Sequence, residues 1–184
     1  MRRNVIVAYH ADLSDSDALA RTSKLRELGD AVNADVLFPQ GDTLPAWPTK
    51  DHWKNRPRLS RVLDRFKRMT RGYDRVVVCG YSRGAILAHI LGHMHPVDVI
   101  VSNGGFCPQW LILTHPRTLA VMQIFNQWDL RRYGKRAKWT LDHYRGVGCP
   151  VKELVVDNYK THWSRWDPEA NSMIEAFLRS KGVN

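Results

Sequence analysis

The sequence predicts an α/β fold in which a mostly parallel sheet is covered by helices on both faces. Short runs rich in Val and Ile alternate with segments of helical periodicity along the whole chain. The runs are almost continuously apolar, as expected of strands that are buried on both faces. A length of 184 residues with 43% hydrophobic residues suffices for a core, and we expect one domain, residues 1–184.

The apolar runs and the periodic segments define the expected elements. Six strands are predicted at residues 4–9, 34–38, 75–79, 97–101, 119–125 and 151–156. Helices are predicted near residues 15–29, 58–70, 83–94, 136–145 and 169–180. The last helix is the best marked, because Asp167 can act as its N-cap and Pro168 fits its first position. In sheets of this kind ligands bind beyond the carboxyl ends of the strands, so residues that follow strands are the candidates for chemistry.

The positive charge is concentrated in two segments. The formal net charge is +10, and residues 54–71 carry eight basic residues against one acid, while residues 131–138 carry five basic residues. The apolar face of helix 58–70 indicates that the first segment is the solvated outer face of an amphipathic helix. Attraction of an anionic partner is the alternative interpretation, although we do not expect that partner to be nucleic acid.

Cysteine usage and the amino terminus predict a cytoplasmic protein. The chain has three cysteines, Cys79, Cys107 and Cys149, without a CxxC pair or a Cys/His metal-ligand spacing, which is typical of free thiols in a reducing compartment. The apolar run after Arg2 and Arg3 is too short for a signal peptide, and no run approaches the roughly 20 residues of a membrane span. We expect Cys79 to be a small core residue.

The segment Gly80-Tyr81-Ser82-Arg83-Gly84 matches the G-x-S-x-G pattern of a nucleophile elbow. The pattern alone arises by chance in about 6% of chains of this length. Here it stands between a predicted apolar strand and a predicted apolar helix, which is the strand-turn-helix setting that the motif requires. A tight turn would present the Ser82 hydroxyl above the sheet, and two glycines would let the helix cross the strand closely. Ser82 is therefore the predicted nucleophile.

Two backbone N–H groups are the predicted oxyanion-hole donors. The N–H of Arg83, at the start of the helix, would point to where negative charge develops on the substrate carbonyl oxygen. The second donor is expected in the turn after the first strand, from Ala11 or Asp12. An ordinary helix cap is the alternative interpretation of Asp12.

A serine nucleophile needs a general base, which in this motif's chain order follows an intervening acid. His162 is the predicted base, because it lies in the loop after the strand 151–156. His143 falls within a predicted helix and is expected to be a surface residue. Asp129, just beyond the strand 119–125, is the predicted acid, and Asp157 stays open as its alternative. The other histidines show no metal-ligand spacing, and we expect no metal and no organic cofactor.

With these residues at successive strand ends, the chain resembles the α/β-hydrolase superfamily from the first strand to the last helix. It is similar to small serine carboxylesterases of the carboxylesterase and phospholipase group, and to polyhydroxybutyrate depolymerase or feruloyl-esterase relatives. The resembling segments are 5–12, 36–41 with Trp47, 80–85, Asn126-Gln127-Trp128-Asp129 and Thr161-His162-Trp163. Ala11 replaces the glycine usual after the first strand, and the glycine that often precedes the histidine is absent.

The resemblance implies a minimal α/β-hydrolase fold of about six strands, without the first hairpin and without a cap domain, and hence an open site. It implies hydrolysis of carboxylic esters through an acyl-enzyme. An acyl-thioesterase, a polyester depolymerase and a non-catalytic scaffold that binds an anionic partner stay open as alternatives.

The candidate substrate-binding residues are Tyr81, Trp47, Trp128 and Trp163, for each of which loop packing is the other interpretation. The substrate is expected to be an ester or thioester, bulky or anionic.

Overall fold

A computed structural model describes residues 3–11, 15–40, 47–48, 56–111, 116–156 and 170–184. The strands are β1 (Asn4–Tyr9), β2 (Ala34–Leu37), β3 (Val76–Tyr81), β4 (Val97–Asn103), β5 (Thr118–Asn126) and β6 (Val151–Val156). The helices are α1 (Ser16–Thr22), α2 (Leu25–Ala31), α3 (Arg56–Thr70), α4 (Arg83–Met94), α5 (Gln127–Gly146) and α6 (Ala170–Ser180). The six strands form one sheet in the order β2-β1-β3-β4-β5-β6, and each neighbouring pair is parallel. The predicted α/β class is confirmed.

Helices cover the sheet on both faces, as the near-continuous apolar strands predict. One core contains Phe66 of α3, Leu87 of α4 and Tyr144 of α5, all fully buried against one set of strand side chains. The other core contains Leu25 of α2 and Ile174 of α6 against the opposite set. Successive strand side chains point to opposite faces, so the Val and Ile runs supply both cores. No helix among the described residues has the length and apolar character that a bilayer span requires.

Two predicted helix boundaries are wrong. The helix expected at 15–29 is two helices, because Lys24 adopts a left-handed backbone with φ of 53° and separates α1 from α2. Asp15 caps α1 by accepting a hydrogen bond from the N–H of Ala18. The helix expected at 136–145 is present as the second part of α5, which begins earlier, at Gln127 directly after β5, with Asn126 as its N-cap and a kink at Tyr133, where φ is −121° and ψ is 15°. Asp129 therefore lies in the first turn of a helix instead of in a loop.

The strand order places the functional candidates at one edge of the sheet. The chain runs outward from β1 to β2 and then returns to β3 on the other side of β1, so the order reverses between β1 and β3. Ligands of parallel sheets bind at such a reversal, beyond the carboxyl ends of the strands. Ala11 follows β1 and Ser82 follows β3, so both residues flank this crevice.

Candidate active site

Ser82 lies in a strained turn between β3 and α4. Its φ of 53° and ψ of −116° are unusual for a residue with a Cβ, and such a conformation costs about 1–3 kcal/mol. The surrounding hydrogen bonds hold it in place. The Ser82 N–H donates to the Asn103 carbonyl at 2.8 Å, and the Ser82 carbonyl accepts from Ala85 N at 3.0 Å and Ile86 N at 3.2 Å. The strand-turn-helix setting expected of an elbow is present, and the Ser82 residue is half-buried.

The two glycines of the motif are required by close backbone packing. A Cβ on Gly80 would overlap the backbone of Gly84 and lie 2.5 Å from Ala85 N. A Cβ on Gly84 would overlap the Tyr9 carbonyl and lie 2.5 Å from the His10 carbonyl oxygen. Real Cβ contacts are essentially never shorter than 3.0 Å. In this arrangement the helix crosses the strands so closely that neither position has room for a Cβ.

The turn after β1 lies against the first turn of α4, because Gly84 contacts the carbonyls of Tyr9 and His10. This turn is fixed by two hydrogen bonds. His10 Nδ1–H donates to the Ala11 carbonyl at 2.8 Å, and Trp47 Nε1–H donates to the His10 carbonyl at 2.9 Å. The predicted oxyanion donors Arg83 and Ala11 are thus on adjacent segments. The other candidate donor, Asp12, lies outside the described residues.

A buried glutamine fixes the loop after β4 against the elbow, and no motif in the sequence predicts this contact. Gln123 of β5 donates from Nε2 to the Ser102 carbonyl at 3.1 Å and to the Gly105 carbonyl at 3.0 Å. A Cβ on Gly105 would lie 2.9 Å from the Ser82 carbonyl oxygen, so the loop touches the turn itself. The sequence signal was a lone amide in an otherwise apolar strand, since buried amides need hydrogen-bond partners.

Asp129 is the third residue of α5 and is only 3% exposed. Its backbone N–H donates to Asn126 Oδ1 at 2.7 Å, which fixes the first turn of the helix. Strands β3 and β5 are separated by β4 alone, and strands are spaced about 4.8 Å apart, so their axes are about 10 Å apart. That spacing leaves room for one imidazole between a serine hydroxyl and a carboxylate. His162, Asp157 and Trp163 lie outside the described residues, and their predicted roles stay predictions.

Aromatic and cationic side chains lie along the first half of α5 and against Phe106 in the loop after β4. Arg132 lies 5.2 Å from the ring centre of Trp128 and 5.7 Å from that of Tyr133. Arg136 lies 4.9 Å from the ring centre of Phe106, which contacts Tyr133 at 6.0 Å. We call this set, Arg132, Arg136, Trp128, Tyr133 and Phe106, the α5 wall. The wall combines apolar rings with two exposed positive charges.

The other two described candidates for substrate binding differ in burial. Tyr81 is half-buried at the end of β3. Trp47 is 5% exposed, packs edge-on against Tyr9 at 5.0 Å and belongs to the core under the turn after β1. Its indole N–H is used by the His10 carbonyl, so Trp47 supports that turn from below.

A second polar cluster lies between α4 and α5. Burial lowers the pKa of His89 to about 3 and that of His93 to about 4, so both imidazoles are neutral at pH 7. His93 Nε2 lies 3.1 Å from His143 Nε2. The expectation that His143 is a surface residue is wrong, because its ring is half-buried, stacks on Trp139 and points its Nε2 at that of His93. Burial raises the pKa of the nearby Cys107 thiol to about 12.

Comparison with known proteins identifies the fold. No family model matches the sequence, and no curated protein matches it. Solved structures match over almost the whole chain. Arabidopsis thaliana SOBER1 has a TM-score of 0.74 at 14% identity, with 97% of this chain and 99% of that chain covered. Esterase PE8 has a TM-score of 0.75 at 16% identity, with 97% and 93% covered. The fold is an α/β-hydrolase fold.

Zea mays acyl-protein thioesterase 2 is a further structure with this fold, with a TM-score of 0.71 at 14% identity and 98% and 94% of the two chains covered. In the α/β-hydrolase fold of this protein, residues 104–117 connect β4 to β5, and the described part of this connection includes a short 3₁₀ turn at Gln109–Leu111. Within the part of the chain that the structure describes, the expected minimal version with six strands and no cap domain is confirmed.

Proposed function

We propose that this protein is a serine hydrolase that cleaves carboxylic esters through an acyl-enzyme on Ser82. The observation that carries the proposal is the strained backbone of Ser82, held between β3 and α4 with glycines at two positions where a Cβ would overlap neighbouring backbone. Strain of this kind persists only where the surrounding structure imposes it, and it clusters at functional sites. A buried carboxylate, Asp129, two strands away at the same edge is the second supporting observation.

In the proposed reaction the Ser82 hydroxyl attacks the ester carbonyl while His162 accepts its proton. Asp129 orients the imidazole and stabilises its cation. The N–H groups of Arg83 and Ala11 stabilise the tetrahedral oxyanion, and one such donor contributes about 10²–10³ in rate. The C–O bond then breaks, the alcohol leaves with the proton from His162, and the acyl group stays on Ser82. Water attacks this ester by the same steps in reverse, which releases the acid and restores the free serine.

The α5 wall supports an ester with an anionic group as the substrate. The Arg132 and Arg136 side chains are each stacked on an aromatic ring, which already fixes the direction of the guanidinium. Binding of an anion by such a group therefore loses little further side-chain entropy. A carboxylate on the acyl or alcohol part would pair with such a group, and the rings would cover its apolar part. Thioesters share the acyl chemistry, and the similarity to acyl-protein thioesterase 2 makes them the second candidate class.

The test compares two p-nitrophenyl esters, the acetate and the monoester of succinic acid, in the wild type and in Ser82→Ala. We expect turnover of both by the wild type and a loss of at least about 10³-fold in Ser82→Ala, because the nucleophile is gone. Arg132→Ala should lower kcat/KM for the succinate about tenfold and leave kcat/KM for the acetate unchanged. The variant loses the pairing of the guanidinium with the substrate carboxylate, and a tenfold change corresponds to about 1.4 kcal/mol. Arg131→Ala is the matched control, because it removes the same charge one position earlier in α5.

Four results would change the proposal at different levels. Equal turnover by Ser82→Ala and the wild type would remove Ser82 from the chemistry. An Arg132→Ala effect that is equal on both esters, or equal to that of Arg131→Ala, would remove the anionic specificity and leave the esterase proposal standing. Absence of ester turnover, combined with turnover of an acyl-thioester, would assign the enzyme to the second class. Binding of a polyanion that weakens steeply with salt, without any turnover, would favour the scaffold alternative.

A further inference from the structure

Three side chains with metal-binding atoms converge in the space between α4, α5 and the loop after β4. They are His93 on α4, Cys107 in the loop and His143 on α5, and their ligand atoms all lie within 4.8 Å of one another. His93 and Cys107 are buried and His143 is half-buried. The three residues come from separate parts of the chain, so no ligand spacing is visible in the sequence.

Hydrogen bonding sets the tautomer of His93 in the form that a metal ligand needs. Its Nδ1–H donates to the His89 carbonyl at 2.8 Å, one turn earlier in α4. The neutral ring then has its lone pair on Nε2, and this atom faces the His143 ring. Metal-binding histidines almost always donate their other ring N–H to a carbonyl or a carboxylate in this way.

The ligand atoms are close enough to share one tetrahedral ion after a rotation of the two imidazole rings. Two nitrogen ligands at about 2.0–2.1 Å from a zinc ion lie about 3.3 Å apart at the tetrahedral angle. The two Nε2 atoms are 3.1 Å apart. A sulfur ligand at about 2.3 Å fits within the observed limit of 4.8 Å from both nitrogens. The ring of His143 is also held in orientation by stacking on Trp139 and by an edge contact with Tyr144.

We propose that His93, Cys107 and His143 bind one Zn²⁺ ion, with water in the fourth position. Two imidazoles and one thiolate form a donor set that suits zinc, and the Cys107 thiol would lose its proton to solvent on binding. The ion would cross-link α4, α5 and the loop after β4. That loop includes Gly105, which contacts the elbow, so the ion would act on the site by holding the loop. The site does not require Ser82 to be a nucleophile.

The test uses the full chain, stripped with a chelator and titrated with Zn²⁺ alone and with Co²⁺ alone. We expect one equivalent of either metal to bind, and the cobalt form to show a thiolate-to-cobalt charge-transfer band. Saturating Zn²⁺ should raise Tm by about 5 °C or more. Cys107→Ser should lose the band and the rise in Tm. Cys149→Ser is the matched control, because it removes another buried thiol and should retain both.

Two results would overturn the proposal. The first is a wild type that binds no metal, or binds it as Cys107→Ser does, in which case the cluster is a hydrogen-bonded imidazole pair and a buried thiol. The second comes from X-ray absorption on the zinc-loaded wild type, which needs no variant to fold. We expect one sulfur at about 2.3 Å and two imidazole nitrogens at about 2.0 Å. A coordination shell without sulfur would exclude this site.

Discussion

Replacement of Gly84 by alanine tests how closely the elbow depends on the turn after β1. The added Cβ would lie 2.5 Å from the His10 carbonyl oxygen and would overlap the Tyr9 carbonyl. Since real contacts stay above 3.0 Å, α4 or the turn must shift by at least about half an ångström. We expect a loss of about 1–3 kcal/mol in the free energy of unfolding, as in other overpacked cores.

The same shift should also reduce activity. It would move the Arg83 N–H relative to Ala11, and a misplacement of about 1 Å costs about 10²-fold in rate. We therefore expect kcat/KM for p-nitrophenyl acetate to fall about 10- to 100-fold, while urea unfolding shows that the variant is still folded. Gly146→Ala is the control, because its Cβ would meet nothing within 4 Å. A folded Gly84→Ala variant with wild-type kcat/KM would refute the argument that these two segments form the oxyanion site.

Three further predictions concern stability. Ile174→Ala should lower the free energy of unfolding by about 2–5 kcal/mol, because Ile174 is fully buried under the sheet, and a loss below about 1 kcal/mol in urea unfolding would contradict that core. Asp98→Ala should cost about 1.5–3 kcal/mol, since the carboxylate accepts from the Arg75 guanidinium at 2.6 Å and from a backbone N–H at the start of β3, and Asp98→Asn should retain part of this. Lys138→Ala should change stability by less than about 0.5 kcal/mol, because its pair with Asp142 is solvent-exposed, and a larger loss in the same assay would argue against that view.

The strands were predictable because local composition determines them. Runs of Val and Ile that are buried on both faces of a sheet are recognisable as strands from the sequence alone. The observed bounds of β1 and β6 are those predicted. The elbow was also predictable, because its turn needs particular residues at fixed positions. The break at Lys24 was not, since lysine carries no signal for a left-handed backbone. Asn126 is a favoured N-cap residue, and it indicated the early start of α5. The many basic residues that follow it made the helix hard to recognise.

Long-range contacts were beyond the reach of sequence patterns. The approach of His93 to His143 depends on how α4 and α5 pack on one face of the sheet, and the residues lie fifty positions apart. The contact of Gln123 with the loop after β4 arises in the same way from neighbouring strands. The role of His162 as base, the single domain and the cytoplasmic location stay predictions.

Location of a covalent label tests the central claim, that Ser82 is an activated nucleophile. A fluorophosphonate probe reacts with activated serines, and peptide mapping by mass spectrometry identifies the residue that carries it. We expect one label on the wild type, at Ser82, and none on Ser82→Ala at the same protein concentration. A folded wild type without label, or a label on Ser82→Ala equal to that on the wild type, would contradict the account.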